Sequence, residues 1–305
     1  MNSENMKENF KSGFVTIISR PNVGKSTLLN KIIGQKIAIT TPTAQTTRNQ
    51  IKGVFTDSDA QIVFVDTPGV HKPLNELGKA LAKETFDALE GANLILFLAD
   101  GADFAGRGDK WIVQNCLKSS KAEILLVLNK VDLIKDLAKR EAILYSYKKL
   151  FEPKNVPSAF VSAKTGRNID DLIEKIKSYM PQGVKFYDED TVTDQTLRAI
   201  SAEVIREKII LNTDSEIPHQ VAVLIENYKE EEKIDRISAK IIVSTNGQKG
   251  IIIGKGGEKL KKIATEARLE LEKTISKKIF LEVFVKVQKN WQKDEKFVSK
   301  LHCAR

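Results

Sequence analysis

The sequence predicts an α/β domain followed by a smaller α+β domain, and three observations carry that expectation. Short β-branched runs alternate with longer amphipathic stretches from Gly13 to about Tyr179. Pro181-Gln182-Gly183 then breaks the last amphipathic stretch, and an acidic run, Tyr187-Asp188-Glu189-Asp190, follows it. Beyond that run the order of elements changes.

In the first part, strands are expected at Phe14–Ile18, Ile51–Phe55, Ile62–Val65, Leu94–Ala99, Ile124–Leu128 and Ala159–Val161. Helices are expected at Ser26–Ile33, Glu76–Leu89, Lys110–Leu117, Leu137–Leu150 and Ile169–Tyr179. Such alternation gives βαβ units and a mixed, mostly parallel six-stranded sheet covered on both faces. The second and third strands are split only by Thr56-Asp57-Ser58-Asp59 and form an antiparallel hairpin within it. In the second part the order reads helix (Asp194–Ile210), strand (Gln220–Glu226), strand (Ile237–Ser244), glycine turn, helix (Glu258–Thr274), strand (Ile279–Val287) and a final helix from about Asp294. The charge run Lys229–Lys233 is a solvated hairpin tip. The expected division is a flexible stretch 1–12, a first domain 13–182, a linker 183–193 and a second domain 194–305.

Composition narrows the function classes. Hydrophobic content of 41% beside 29% charged residues belongs to a globular chain and excludes a disordered one. The longest apolar runs, Leu94–Ala99 and Ile124–Leu128, fall far short of the roughly 20 residues that span a bilayer. The polar stretch Met1–Lys11 has no apolar run with a cleavage site, so secretion is not expected. Cys116 and Cys303 have no metal-ligand spacing and suit a reducing cytosol as inert thiols. Net charge of +9 favours a polyanionic partner, but it splits as about +6 up to Gly183 and about +3 beyond, so charge alone locates no site. His71, His219 and His302 read as solvated residues rather than catalytic bases.

The first strand runs into Ser19-Arg20-Pro21-Asn22-Val23-Gly24-Lys25-Ser26, with Thr27 next on the helix that it opens. Phosphates need donors that come close: loop N–H groups wrap the β-phosphate and the helix N-terminus adds partial positive charge. Gly24 admits the close backbone, Lys25 reaches the β- and γ-phosphates, and the Ser26 hydroxyl takes one Mg²⁺ position. Ser19 stands where the pattern has glycine, and its cost depends on the local φ and on the space around its Cβ. Asp66-Thr67-Pro68-Gly69 ends the third strand, with Asp66 placed to hold Mg²⁺ through water and the Gly69 N–H to bind the γ-phosphate. Asn129-Lys130-Val131-Asp132 follows the fifth strand. The Asp132 carboxylate accepts from N1–H and the exocyclic amine of guanine, a donor pair that adenine lacks. Ser162-Ala163-Lys164 follows the sixth strand and supports the base from the other side. Each motif alone reads as a polar turn; in this order on one sheet they define a GTP/GDP site.

In the second part, Ile251-Ile252-Ile253-Gly254-Lys255-Gly256-Gly257-Glu258 joins apolar residues to a Gly-x-x-Gly turn that begins a helix. Such a turn lets a nucleic-acid backbone lie against its N–H groups, with Lys255 against phosphate. The isoleucines and Ile263 are expected to make an apolar floor for unstacked bases. This is how a KH module holds about four nucleotides of a single strand. Lys259, Lys261, Lys262 and Arg268 are candidate phosphate contacts. The plain alternative is a solvated face, with Glu266, Glu270 and Glu272 at pairing distance. Trp291 reads as a packing residue.

From Gly13 to about Leu301 the chain resembles the translation-factor-related branch of the small GTPase-like family, in a form that carries a C-terminal type II KH domain. The resemblance includes Ala44-Gln45-Thr46-Thr47-Arg48, which looks like the family's first switch. It implies a Mg²⁺-coordinating switch threonine, Thr47 with Thr46 as competitor, and makes Lys25, Thr47 and Gly69 the expected catalytic groups. Many GTPases place glutamine directly after Asp-x-x-Gly; Val70 stands there and cannot orient water, so slow intrinsic hydrolysis is expected. Some relatives with asparagine at the Asn22 position hold K⁺ beside the phosphates; the other reading is that Asn22 caps the loop backbone, and both stand. The resemblance further implies a monomer that binds single-stranded 16S rRNA near its 3′ end and acts in 30S subunit maturation. It places the protein in the cytoplasm, with peripheral association at the inner membrane face. Two alternatives remain: an RNA-binding protein with GTP or GDP as a structural switch and negligible hydrolysis, or a GTPase whose second domain docks protein.

Overall fold

The computed structural model describes residues 9–41, 50–67, 76–118, 120–213 and 217–303. They form two compact units whose main division falls between Asp194 and Gln195.

The first unit contains β1 (Lys11–Ile18), α1 (Lys25–Ile33), β2 (Ile51–Thr56), β3 (Ala60–Asp66), α2 (Glu76–Glu90), β4 (Leu94–Asp100), α3 (Arg107–Ile112), β5 (Glu123–Asn129), α4 (Leu137–Lys148), β6 (Ser158–Phe160) and α5 (Ile169–Tyr179). The strands lie in the order β2-β3-β1-β4-β5-β6, all parallel except β2, which pairs antiparallel with β3. Every residue of β3 is buried and so is nearly every residue of β4 and β5, as a sheet covered on both faces requires. Leu28, Leu29, Ile62, Phe64, Leu172 and Ile176 fill one layer; Phe97, Ile112, Leu126, Ile143 and Tyr147 fill the other. Because β1, β3, β5 and β6 run the same way, their C-terminal ends share one edge, and the four polar motifs follow those ends.

Two expectations for this unit need revision. The helix expected from Lys110 begins at Arg107, because the Asp109 carboxylate accepts from the Gly106 N–H at 2.9 Å and starts a turn earlier; it then passes into one π-helical turn, Val113–Leu117. The stretch 183–193 is no free linker. Gly183 N donates to Phe10 O (3.0 Å) and Val54 N to Val192 O (2.9 Å). Gln61, fully buried, accepts from Phe186 N and Tyr187 N and donates to Tyr187 O and Thr56 Oγ1. Its amide is satisfied on all sides, and it fastens the segment to the sheet.

The second unit contains α6 (Leu197–Leu211), α7 (Ile217–Gln220), β7 (Ala222–Lys229), β8 (Ile234–Val243), α8 (Asn246–Ile253), α9 (Glu258–Ile275), β9 (Lys278–Val287) and α10 (Glu295–Cys303). Strands β7 and β8 form an antiparallel hairpin, while β8 and β9 pair in parallel over ten residues each. A parallel pair needs a crossover, and α8, the glycine turn and α9 supply it. The stripe Ile263, Ala267 and Leu271 of α9 packs on Ile237, Ala239 and Ile241 of β8, with Val204, Ile205 and Ile209 of α6 closing the core. Gln220, expected to open a strand, instead ends the four-residue α7. Helix α8 is absent from the elements read along the residues, although the resemblance to a type II KH domain implies two successive helices before the last strand. Its two glycines hide it, although Thr245 and Gln248 form a capping box in which Gln248 N donates to Thr245 Oγ1 (3.2 Å) and Gln248 Oε1 accepts from Thr245 N (3.1 Å). Trp291 is fully buried and donates from Nε1 to Gln220 O at 3.1 Å, the packing role expected of it.

Candidate nucleotide site and nucleic-acid turn

The loop from Ser19 to Gly24 leaves β1 and opens α1. Its shape depends on two left-handed residues, Asn22 (φ 64°) and Gly24 (φ 100°). Asparagine tolerates that region; at position 24 a Cβ would also stand 2.5 Å from Asn129 Nδ2, so only glycine fits. Ser19 is buried and its hydroxyl donates to Arg20 O at 2.8 Å. Among the described residues the non-glycine positions with positive φ are Asn22, Lys130, Asn168, Ser276 and Asn290, so the backbone at Ser19 makes no demand for glycine. Side chains of Lys25 and Ser26 converge on Asp66: Lys25 Nζ is ion-paired with Asp66 Oδ1 and donates to Thr67 O, while Ser26 Oγ donates to Asp66 Oδ2 at 3.1 Å. Thr67 is held by its own hydroxyl, which donates to Ile17 O at 3.0 Å. Pro21 and Val23 shape the loop, and Thr27 lies half-buried on α1.

The base-side motifs are tied to this loop. Asn129 Nδ2 donates to Val23 O (2.8 Å) and its Oδ1 accepts from Ala163 N (2.9 Å), so one side chain links three loops. Lys130, itself left-handed, sends Nζ to Asn22 O and to Asp100 Oδ2, both at 2.8 Å. Ser162 Oγ donates to Asp132 Oδ1 at 2.6 Å, which fixes the carboxylate while Oδ2 keeps its accepting capacity. Lys164 is exposed beside them. Asp100, at the end of β4, was not among the expected site residues; its only signal in the sequence is its place at a strand's C-terminal end. Thr46, Thr47, Pro68, Gly69, Val70 and His71 lie outside the described residues.

The glycine turn of the second unit follows α8. Gly254, Gly256 and Gly257 all have positive φ, and a Cβ on Gly256 would meet nothing within 4 Å. The turn is thus open on its outer side, and Lys255 is exposed on it. The expected apolar floor is revised: Ile252 and Ile263 are fully buried in the core, leaving Ile251, 45% exposed, and the half-buried Ile253 at the surface. Their place is set by the helical period, which turns Ile252 inward and Ile251 outward. Along α9, Lys259 is half-buried, Lys262 lies 3.8 Å from Glu266 and Arg268 pairs with Glu272 at 3.1 Å. The exposed Lys262 pair leaves that cation available to a stronger anion, whereas Glu272, the partner of Arg268, is mostly buried.

Burial pushes the Cys116 thiol up to about 11, in keeping with an inert cysteine. Side chains of His219, His302 and Cys303 lie outside the described residues. Among the described residues no His/Cys/Asp/Glu group has the makings of a metal cluster, and no helix is long and apolar enough to cross a membrane.

Fold and site together define a P-loop GTPase domain joined to a KH domain: residues 14–130 match the family described as 50S ribosome-binding GTPase, and residues 216–292 match the KH domain. Similarity then extends over nearly the whole chain. GTPase Era of Nostoc sp. is 47% identical over 283 residues, covering 93% of this chain and 86% of the relative. That of Staphylococcus haemolyticus is 43% identical, covering 95% and 96%. The chain belongs to the Era family of GTPases. Among solved structures, an Aquifex aeolicus Era variant bound to GDP·AlF4⁻ superposes with a TM-score of 0.91 at 36% identity, covering 97% of this chain and 99% of the other. An Era in complex with MgGDPNP and nucleotides 1506–1542 of 16S ribosomal RNA gives 0.92 at 36% identity with the same coverage.

Proposed function

We propose that the first domain, 13–182 with the fastened segment 183–193, binds GTP and GDP with Mg²⁺ and hydrolyses GTP, and that the second, 194–305, binds the single-stranded 3′ end of 16S rRNA during 30S subunit maturation. One observation carries the nucleotide reading: Lys25 and Ser26, adjacent on α1, meet Asp66 from β3 at the mouth of a loop of left-handed residues. Ser26 Oγ and the Asp66 carboxylate are hard oxygen donors and fit Mg²⁺, which when bound neutralises phosphate charge. Lys25 brings a further positive charge, the loop N–H groups and the start of α1 orient the phosphates, and Asp132 reads the base. Thr47 and Gly69 complete the reacting end in this reading. With valine at position 70, positioning and charge must do most of the work, and turnover without a partner is slow. Val70→Ala should leave it within about a few-fold.

The complex of an Era with 16S rRNA nucleotides supports the RNA reading, as does the open glycine turn. In this reading the protein is a cytoplasmic monomer, and association with the small subunit depends on its nucleotide. Single-turnover hydrolysis with and without isolated small subunits tests the whole: a GTP-specific rate raised by subunits is expected, and no GTP retention, or equal use of ATP, overturns it. Repeating the assay in KCl and NaCl at equal ionic strength decides the K⁺ role of Asn22. Equal rates remove it.

A further inference from the structure

We infer that Asp109 is a positioning residue for the nucleotide loop and acts through Arg20. The inference rests on the reading of Ser19–Ser26 as a phosphate loop. Arg20 is the loop's second residue, and its side chain runs toward α3: Nη2 lies 3.3 Å from Asp103 Oδ2 and Nε 3.5 Å from Asp109 Oδ2. Asp109, the third residue of α3, has no exposure at all. Its Oδ2 also accepts from Gly106 N at 2.9 Å, whereas among the described residues its Oδ1 and Arg20 Nε have no hydrogen-bond partner.

Capping the start of α3 explains a polar side chain at position 109 but not a fully buried carboxylate. A charge removed from water is costly unless a counter-charge answers it, and the cation brought to this one is Arg20. Burial pushes the Asp109 carboxyl up, and the Gly106 N–H and the Arg20 guanidinium act against that rise.

The tie matters because of what the loop must do. Loop N–H groups serve a phosphate only if they are aimed before it arrives. Between Arg20 and Lys25 the backbone passes through left-handed Asn22 and Gly24. Its far side is held by Asn129 Nδ2 on Val23 O and by Lys130 Nζ on Asn22 O. The near side is anchored by Arg20 on Asp103 and Asp109. Neither acid was expected from the sequence as part of a site.

The test is release of fluorescent GDP from the full-length protein, chased with unlabelled GDP, for Arg20→Ala, Asp109→Asn and the double variant. The amide of Asp109→Asn still accepts from Gly106 N, so the helix cap survives while the charge is lost. Each single change should speed release by about fivefold or more, and the double should be no faster than the faster single variant, because both break one coupling. A double effect equal to the product of the single effects would mean that Asp109 acts through α3 alone, and would overturn the inference. So would release within about twofold of the unaltered protein for Arg20→Ala, whose half-exposed side chain makes misfolding no escape. If the unaltered protein retained no GDP, the phosphate-loop reading itself would fall, an outcome distinct from normal binding with unchanged release in the variants.

Discussion

Asp132 is the residue proposed to select the base. Ser162 occupies Oδ1, and in that reading the remaining acceptor capacity serves a guanine N1–H and amine. Asp132→Asn replaces that acceptor pair by an acceptor and a donor. Two hydrogen bonds to a charged group at about 1.5–3 kcal/mol each make GTP binding fall about a hundredfold or more. The same variant should gain affinity for xanthosine triphosphate, whose 2-oxo group accepts from the new amide; competition binding reads both changes. At the glycine turn, Gly256→Asp meets open space, and its left-handed φ of 59° is a region that aspartate enters at a modest cost, so the folded variant should present its new charge to the RNA backbone of the proposed site. Binding of a 16S 3′-terminal oligonucleotide should drop at least about tenfold, and unchanged affinity in the folded variant would favour a protein-docking second domain.

Among elements, the segment 183–193 and helix α8 are the instructive cases. Gln61→Leu should loosen the segment, since it leaves Phe186 N, Tyr187 N and Tyr187 O without their side-chain partners; a loss of about 2–3 kcal/mol is expected by denaturant unfolding. The sequence displayed the βαβ rhythm, the hairpin and the four polar motifs because each is local: period, glycine and strand ends suffice. It did not display the role of Gln61, a polar residue in an apolar strand whose partners Phe186 and Tyr187 are 125 and 126 positions away. Nor did it display α8 through propensity, since Gly247 and Gly250 argue against a helix; of the local signals, only the Thr245–Gln248 box spoke for it. In the nucleotide site the phosphate and base motifs were legible as spaced residues. The ties of Arg20 to Asp109 and of Lys130 to Asp100 were not, because they depend on which loops the sheet brings to one edge.

For the whole molecule, acid should release paired carboxyls in both units, Asp57 on Lys177 in the first and Asp235 in the second. In the second unit, burial pushes the Asp235 carboxyl up, but the Lys277 ammonium at 2.6 Å and the Tyr228 hydroxyl at 2.9 Å outweigh it and hold the carboxyl below the usual range. A depressed folded value means that the stabilisation is present above the unfolded value, about 3.9, and is lost as pH falls through the folded one. Asp235→Asn should therefore destabilise the second domain at pH 7, with the difference shrinking below about pH 4 in acid melts.

The parallel pairing of β8 with β9 has one more consequence. Strand β9 reaches its place only by way of the crossover that carries Gly254–Gly257, so the stretch proposed to grip a polynucleotide is also the strap that closes the longest-range strand pairing of this domain. A bound oligonucleotide would then act as a splint: occupancy should both raise the melting point of this half and delay its opening.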